Sequence, residues 1–309
     1  MTSTHERLTG YASPVDLERF GEYRISRQAG DSRPLYRFAG RITADGSSGF
    51  AAEPGRYHLY SGWFCPWAQR TVIVRALKGL QDVVSLSYVD NRRDGRGWAF
   101  RQATGPDLVN GFTLLREAYD ATEPGFDGHV SVPTLWDRAT GTVVSNTFGQ
   151  ITLDLATAFE AWALPGVDTY PEPLRPQIDA LNERILVAVN HGVSVAAGDG
   201  EQADAARRAL LATLEELDDR LAGSRYLHGE TVTESDVRLW VTLVRYDAAS
   251  NVQGAIGPRR LVDYPQLWPY ARDLYQQPAF RDSTDFASFA RPGAEPADWE
   301  APHGRGPAD

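Results

Sequence analysis

The chemistry available to this chain centres on one sulfur. Cys65 is its only cysteine, and it stands in Ser61-Gly62-Trp63-Phe64-Cys65-Pro66. Before it Tyr57-His58-Leu59-Tyr60 reads as a strand, and after it Trp67 to Leu80 reads as a helix. Proline suits the first helical position, where its missing N–H has no partner to lose. The unpaired N–H groups and positive dipole end of a helix start favour an anion. A thiol placed there is expected to ionise more readily than a free cysteine and to act as a nucleophile at neutral pH. The bland alternative is a buried cysteine acting as a small hydrophobe; the helix-start context favours reactivity. A lone cysteine excludes an intramolecular disulfide and a Cys-cluster zinc site, and fits a reducing cytoplasm. Any mixed disulfide formed on Cys65 needs an external thiol to resolve it.

A second feature is Val132-Pro133. A cis bond there would turn the Val132 backbone outward, so that its N–H and C=O could pair with an extended, peptide-like ligand. The alternative is an ordinary trans proline on an edge strand; beside a strand–helix–strand pattern with a helix-start cysteine, cis is favoured. Other motifs are absent or structural. The six histidines show no ligand spacing, so no metal is expected. Neither a dinucleotide fingerprint nor a phosphate-binding glycine loop occurs. Thr233-Glu234-Ser235-Asp236 places a carboxylate for helix capping, and Asp236 is read as structural.

The elements that must position these groups follow from length and pattern. With 309 residues, 42% of them hydrophobic, two domains are expected. A net charge of −10 disfavours nucleic acid and anionic lipid surfaces. No apolar run reaches the roughly 18 residues a membrane span needs, and the N-terminus lacks a secretory apolar region. Lys78 is the only lysine among 31 basic residues, a bias typical of a high-GC genome.

Residues 1–55 are rich in turn formers and read as an extended arm. Residues 56–165 read as a compact α/β unit: the strand and helix around Cys65, a strand over Val83 to Val89, a strand over Val130 to Trp136, another over Thr142 to Val144, and a helix over Asn146 to Phe159. The connection from Asn91 to His129 is long enough to imply function. Residues 166–290 become helical, with Leu210, Leu214, Leu217 and Leu221 at helical spacing. Residues 291–309 read as a flexible tail.

Read together, D-G-S-S-G-F (45–50), G-R-Y-H-L-Y (55–60), C-P-W-A-x-R-T (65–71), G-W-x-F (97–100), V-P-x-L-W-D (132–137), T-G-T-x-V (140–144), L-R-x-x-I (174–178), R-Y-L-x-G (225–229), T-E-x-D-x-R-L (233–239) and D-Y-P-x-L-W (263–268) resemble the glutathionyl-hydroquinone reductases, the xi class of glutathione transferases. The resemblance runs in order over about residues 40 to 285. It implies the glutathione transferase fold: an α/β thioredoxin-like N-terminal domain followed by an all-α C-terminal domain. It also implies a homodimeric enzyme, while the cysteine usage, net charge and hydropathy above point to a cytoplasmic protein that binds neither nucleic acid nor membrane. Its co-substrate would be a low-molecular-weight thiol, and its substrate an aromatic, quinone-like conjugate. By resemblance, Cys65 is the nucleophile that takes the glutathionyl group, Trp98 packs on the thiol, and Val132, with Pro133, pairs with the thiol's backbone.

Departures concentrate at the site. The family's N-E-S, which holds the γ-glutamyl end of glutathione, is here Asn146-Thr147-Phe148; the arginine ahead of V-P is His129; Trp63 and Phe64 make the approach to Cys65 bulkier; and the substrate-facing tyrosine of N-N-G-V-Y is Ser194. Losing a carboxylate and a hydroxyl from that end should remove charge-assisted bonds of roughly 1.5–3 kcal/mol each. Tyr246 is a further candidate for substrate contact. Two thiols stay open: glutathione, and mycothiol, the amino-sugar thiol of high-GC actinobacteria, which has no γ-glutamyl group. Two other activities stay open as well, a transferase or isomerase in which Cys65 or Ser61 merely stabilises a bound thiolate, and a noncatalytic binding protein.

Overall fold

In a computed structural model, residues 10–25, 30–295 and 297–300 are described. The chain divides into two compact units, Met1–Pro165 and Gly166–Asp309.

The first unit is built on a strand buried along its whole length, β3 (Tyr57–Ser61). Its residues alternate between two covered faces, which explains why apolar and aromatic side chains occupy nearly every position. From β3 the chain turns into α2 (Pro66–Leu77) and returns as β4 (Ser85–Tyr88), parallel to β3 with Leu59 opposite Leu86. β5 (Thr134–Asp137) pairs antiparallel to β3, and β6 (Thr142–Ser145) antiparallel to β5; α4 (Phe148–Thr157) follows. The sheet order is β4-β3-β5-β6. This is the expected thioredoxin-like order of a βαβ unit followed by a ββα unit. The strand expected from Val130 begins only at Thr134, because the backbone ahead of it turns through the Val132–Pro133 bond, which is cis.

The arm before β3 contains one helical turn, α1 (Leu17–Phe20), and a two-residue parallel pair, β1 (Ile42–Thr43) with β2 (Phe50–Ala51). It is fastened to the sheet unit at specific points. Asp154 of α4, buried, accepts from Arg41 Nε at 2.7 Å and from the Ile42 N–H at 2.8 Å. Gly40 N–H donates to the Val144 carbonyl at 2.9 Å, and a Cβ at residue 40 would lie 2.7 Å from that same oxygen. Only glycine allows that approach.

The long connection ahead of β5 holds α3 (Arg116–Thr122) and is otherwise tied by side chains. Buried Asp107 accepts from the N–H groups of Val109 (3.0 Å), Asn110 (3.1 Å) and Phe112 (3.1 Å) and from Tyr60 Oη (3.2 Å). His58 Nδ1 meets Ser85 Oγ at 2.7 Å, while its Nε2 stands 4.0 Å from Asp107. This buried polar network pins the loop to the central strand.

The second unit is helical: α5 (Arg175–Arg184), a π-helical turn (Ile185–His191), α6 (Gly192–Ala196), α7 (Glu201–Leu221), α8 (Glu234–Arg245), α9 (Leu267–Tyr275) and α10 (Pro278–Arg281). The capping box of α8 is present, with Asp236 accepting from the Thr233 N–H at 2.8 Å and also from Leu227 N–H and Tyr270 Oη, each at 2.9 Å. Within the stretch read as a tail, Trp299 is 8% exposed and packs on Trp268 (4.9 Å), Tyr275 (5.5 Å) and Phe286 (5.9 Å). Residues 301–309 lie outside the described residues, as do residues 1–9 of the arm. Among the described residues no helix is long and apolar enough to cross a membrane.

Burial, followed by the charges of Arg138 and Arg75, pushes His58 from its ordinary 6.5 down to about 3. The unfolded chain therefore binds this proton at pH values where the folded chain refuses it, so the stabilisation is complete above about pH 6.5 and is lost as pH falls toward 3. Urea unfolding at pH 7 and pH 4 should show a drop in stability that is smaller in His58→Gln; equal drops would contradict this role.

Candidate active site

Cys65 occupies the N-cap position of α2 with extended backbone, and its side chain makes no capping bond to the helix. Its N–H donates to the Gly62 carbonyl at 3.0 Å, closing the turn out of β3. The thiol donates to the Val132 carbonyl oxygen at 3.6 Å, across the cis bond to Pro133. Two expected groups, far apart in sequence, are thus in contact. Val132 N–H has no hydrogen-bond partner among the described residues, which leaves a main-chain donor beside the sulfur. Cys65 is 8% exposed and Val132 7%, so both are buried.

Two aromatic groups flank the sulfur. In the first, Phe64 stacks on Trp98 with centroids 4.3 Å apart and planes 26° from parallel. Gly62 makes this possible, because a Cβ there would stand 2.6 Å from the Phe64 ring. Arg93 lies over Trp98 at 4.4 Å and over Tyr23 at 4.3 Å. In the second, Trp67 meets Phe148 at 4.5 Å, with the buried Arg70 guanidinium 4.6 Å from the Trp67 ring. Trp63 stacks on Tyr88 at 4.1 Å, nearly parallel, and so faces the β4 side. Trp63, Phe64 and Trp67 are each partly exposed and offer ring surface to an aromatic ligand.

The start of α4 is held by the arm. Asn146, 2% exposed, donates its N–H to the Phe38 carbonyl at 2.9 Å, and Thr147 Oγ1 donates to the same oxygen at 3.5 Å. Thr147 is the N-cap and Phe148 the first residue of α4. His129 has its N–H on the Leu35 carbonyl at 3.1 Å and its Nδ1 3.3 Å from Tyr23 Oη. Burial and the neighbouring Arg93 hold His129 below its ordinary value, so its ring stays neutral at neutral pH.

Four residues that sequence reasoning passed over therefore belong here: Tyr23, Tyr36, Phe38 and Arg93. Tyr36 packs edge-on against His129 at 5.5 Å. Its phenol is pushed up first by burial and then by the neighbouring Cys65. Phe38 packs against the core cluster that contains Cys65, Trp98 and Val132. The available signal was a run of aromatics in an arm otherwise rich in turn formers.

Two further candidates, Ser194 and Tyr246, belong to the second unit. Ser194, on α6, is exposed. Tyr246, at the end of α8, is 1% exposed within the second unit and has almost no surface from which to touch a substrate. Ser61 is 0% exposed, so it is closed off as an alternative thiolate-stabilising hydroxyl.

Comparison with known proteins fits this geometry. Residues 64–148 match the model of the glutathione S-transferase N-terminal domain, and residues 200–273 that of the C-terminal domain. The chain is 41% identical over 225 residues to glutathionyl-hydroquinone reductase PcpF of Sphingobium chlorophenolicum, covering 71% of this chain and 72% of that protein. It is 39% identical over 266 residues to glutathionyl-hydroquinone reductase YqjG of Escherichia coli, covering 82% and 81%. Among solved structures it is similar to a xi-class glutathione transferase of Natrialba magadii (TM-score 0.83, 32% identity, 92% and 95% of the two chains). It is also similar to the glutathione-bound structure of YqjG (TM-score 0.81, 35% identity, 87% and 96%).

Because the arm packs against the sulfur's surroundings, Phe38→Ala should raise the rate at which iodoacetamide alkylates Cys65 in the folded protein. An unchanged rate would show that the arm does not shield the thiol.

Proposed function

This chain belongs to the glutathione S-transferase family, in the group of the glutathionyl-hydroquinone reductases and xi-class transferases, and on that premise we propose that it is a cysteine-dependent reductase of glutathione conjugates of quinone-like aromatic compounds. The observation that carries the reading is the Cys65 sulfur at the start of α2, set against the Val132 carbonyl and flanked by partly exposed aromatic rings.

The chemistry follows from that setting. The Cys65 thiolate attacks the sulfur of a glutathionyl-hydroquinone. A sulfur–sulfur bond forms and the sulfur–aryl bond breaks, its electron pair going to the aryl carbon, which takes up a proton. The hydroquinone leaves, and a mixed disulfide remains on Cys65. A second glutathione, as thiolate, attacks the glutathionyl sulfur of that disulfide and restores the Cys65 thiolate. In sum, the conjugate and one glutathione become hydroquinone and glutathione disulfide: the carbon is reduced, two sulfurs are oxidised, and the proton comes from the second thiol. With no other cysteine in the chain, the external thiol is required.

Other residues bind rather than react. Val132 offers its N–H to the main chain of the thiol peptide. Trp98 and Phe64 pack on its thiol region, and Trp63 and Phe64 offer faces to the aromatic group. Asn146, Thr147 and Phe148 receive the γ-glutamyl end without a carboxylate to pair its ammonium. Glutathione is the thiol of this reading because it is named in the relatives; mycothiol finds no such support. The homodimer implied by the resemblance belongs to the same reading.

Cys65→Ser should lower turnover of a glutathionyl-hydroquinone by roughly three orders of magnitude or more, while circular dichroism and melting temperature stay close to wild type. Retained turnover would move the chemistry away from Cys65 and favour a transferase that only stabilises a bound thiolate.

A further inference from the structure

Among the described residues Arg93 is a cation without a counter-charge. It is partly buried, and among the described residues it makes neither an ion pair nor a hydrogen bond. What holds it is aromatic: its guanidinium lies 4.3 Å from the Tyr23 ring centroid and 4.4 Å from that of Trp98. Two other arginines of the loop are paired: Arg96 with Asp94 at 2.7 Å, and Arg101 at 3.4 Å from Asp90 and 3.7 Å from Asp94. Arg92 also makes no ion pair among the described residues, but it is exposed to water, whereas Arg93 is partly buried against two rings. Ring faces satisfy the flat sides of a guanidinium but not its N–H edge, which carries five donors in a fork matched to a carboxylate. His129, beside it, is neutral and supplies no rival charge.

Position decides which carboxylate. Arg93 rests on Trp98, which stacks on Phe64, the residue next to Cys65. The start of α4 belongs to the other aromatic group, Trp67 with Phe148. In the reading given above, which this inference rests on, a thiol peptide pairs with Val132 between the two groups and its γ-glutamyl end meets residues 146–148. Its opposite end then faces Arg93. We propose that Arg93 seats the C-terminal carboxylate of the thiol co-substrate, so that the site selects peptide thiols carrying a carboxylate there over sugar-based thiols such as mycothiol, which carry none.

The test compares glutathione with its glycyl monoethyl ester as the resolving thiol in hydroquinone release. For the wild type, the ester should raise KM about tenfold, the loss expected of a charge-assisted contact, with kcat little changed. Arg93→Met should raise KM for glutathione by a similar factor and erase the difference between acid and ester; Arg93→Lys should keep part of it. If Arg93→Met does not fold, Arg93→Gln serves in its place. A wild type indifferent to esterification, or an Arg93 variant that still prefers the acid, overturns the proposal. Failure of the Cys65 reading would look different: no turnover with either thiol. Calorimetric binding of S-hexylglutathione and its glycyl ester would still test the seat, with the preference for the acid lost in Arg93→Met if the proposal holds and kept if it does not.

Discussion

One contact organises this molecule: the thiol at the start of α2 meets a carbonyl exposed by the cis bond ahead of β5. Each partner arrives by a different route. Cys65 is placed by the turn from β3, where the Gly62 carbonyl and the proline at the first helical position fix the chain's direction. Val132 is placed by the pairing of β5 against β3, with Leu59 opposite Leu135. Because β3 anchors both, a shift of that buried strand would move sulfur and carbonyl together. The polar network of His58, Tyr60, Asp107 and Asn110 clamps the long connection to this same strand, which links the stability of the sheet to the geometry of the site.

The site is also more mixed in origin than a helix-start cysteine requires. The arm contributes Tyr23, Tyr36 and Phe38, and the loop before Trp98 contributes Arg93. These residues surround His129, held below its ordinary value by burial, and among the described residues the partly buried Arg93 guanidinium has no counter-charge. In a chain of net charge −10, a local positive spot of this kind distinguishes an anionic ligand from a neutral one. The start of α4 presents Phe148, an apolar ring packed on Trp67. In the function proposed above, this leaves the other end of the thiol peptide as the charged one to be recognised.

Local signals in the sequence were enough to find the central elements. The step from β3 to α2 was legible because Pro66 and the short apolar and aromatic run of β3 are short-range features, and the glutathione transferase fold was implied by the resemblance carried by the ordered motifs. Long-range contacts were not legible. Tyr23 reaches His129 across 106 positions, and no periodicity in a turn-rich arm announces that. Arg93 was hidden for another reason: its partners are ring faces rather than carboxylates, so charge patterning does not single it out. Trp299 packs among aromatic rings of the second unit, with Arg291 N–H on the Ala248 carbonyl and Tyr275 Oη on Glu300 beside it, in a stretch whose composition otherwise looks disordered. The helix read from Asn146 begins at Phe148, because Thr147 is extended and serves as N-cap while the Asn146 N–H is held by the Phe38 carbonyl.

The account stands or falls on a covalent bond to one sulfur. The most direct measurement mixes the wild-type protein with an equimolar glutathionyl-hydroquinone in the absence of free thiol, then reads released hydroquinone and the intact protein mass together. The account predicts hydroquinone released in step with a glutathione-sized mass gain, located by peptide mapping on the peptide containing Cys65 and removed by added glutathione. Hydroquinone released while the protein mass stays unchanged would contradict it.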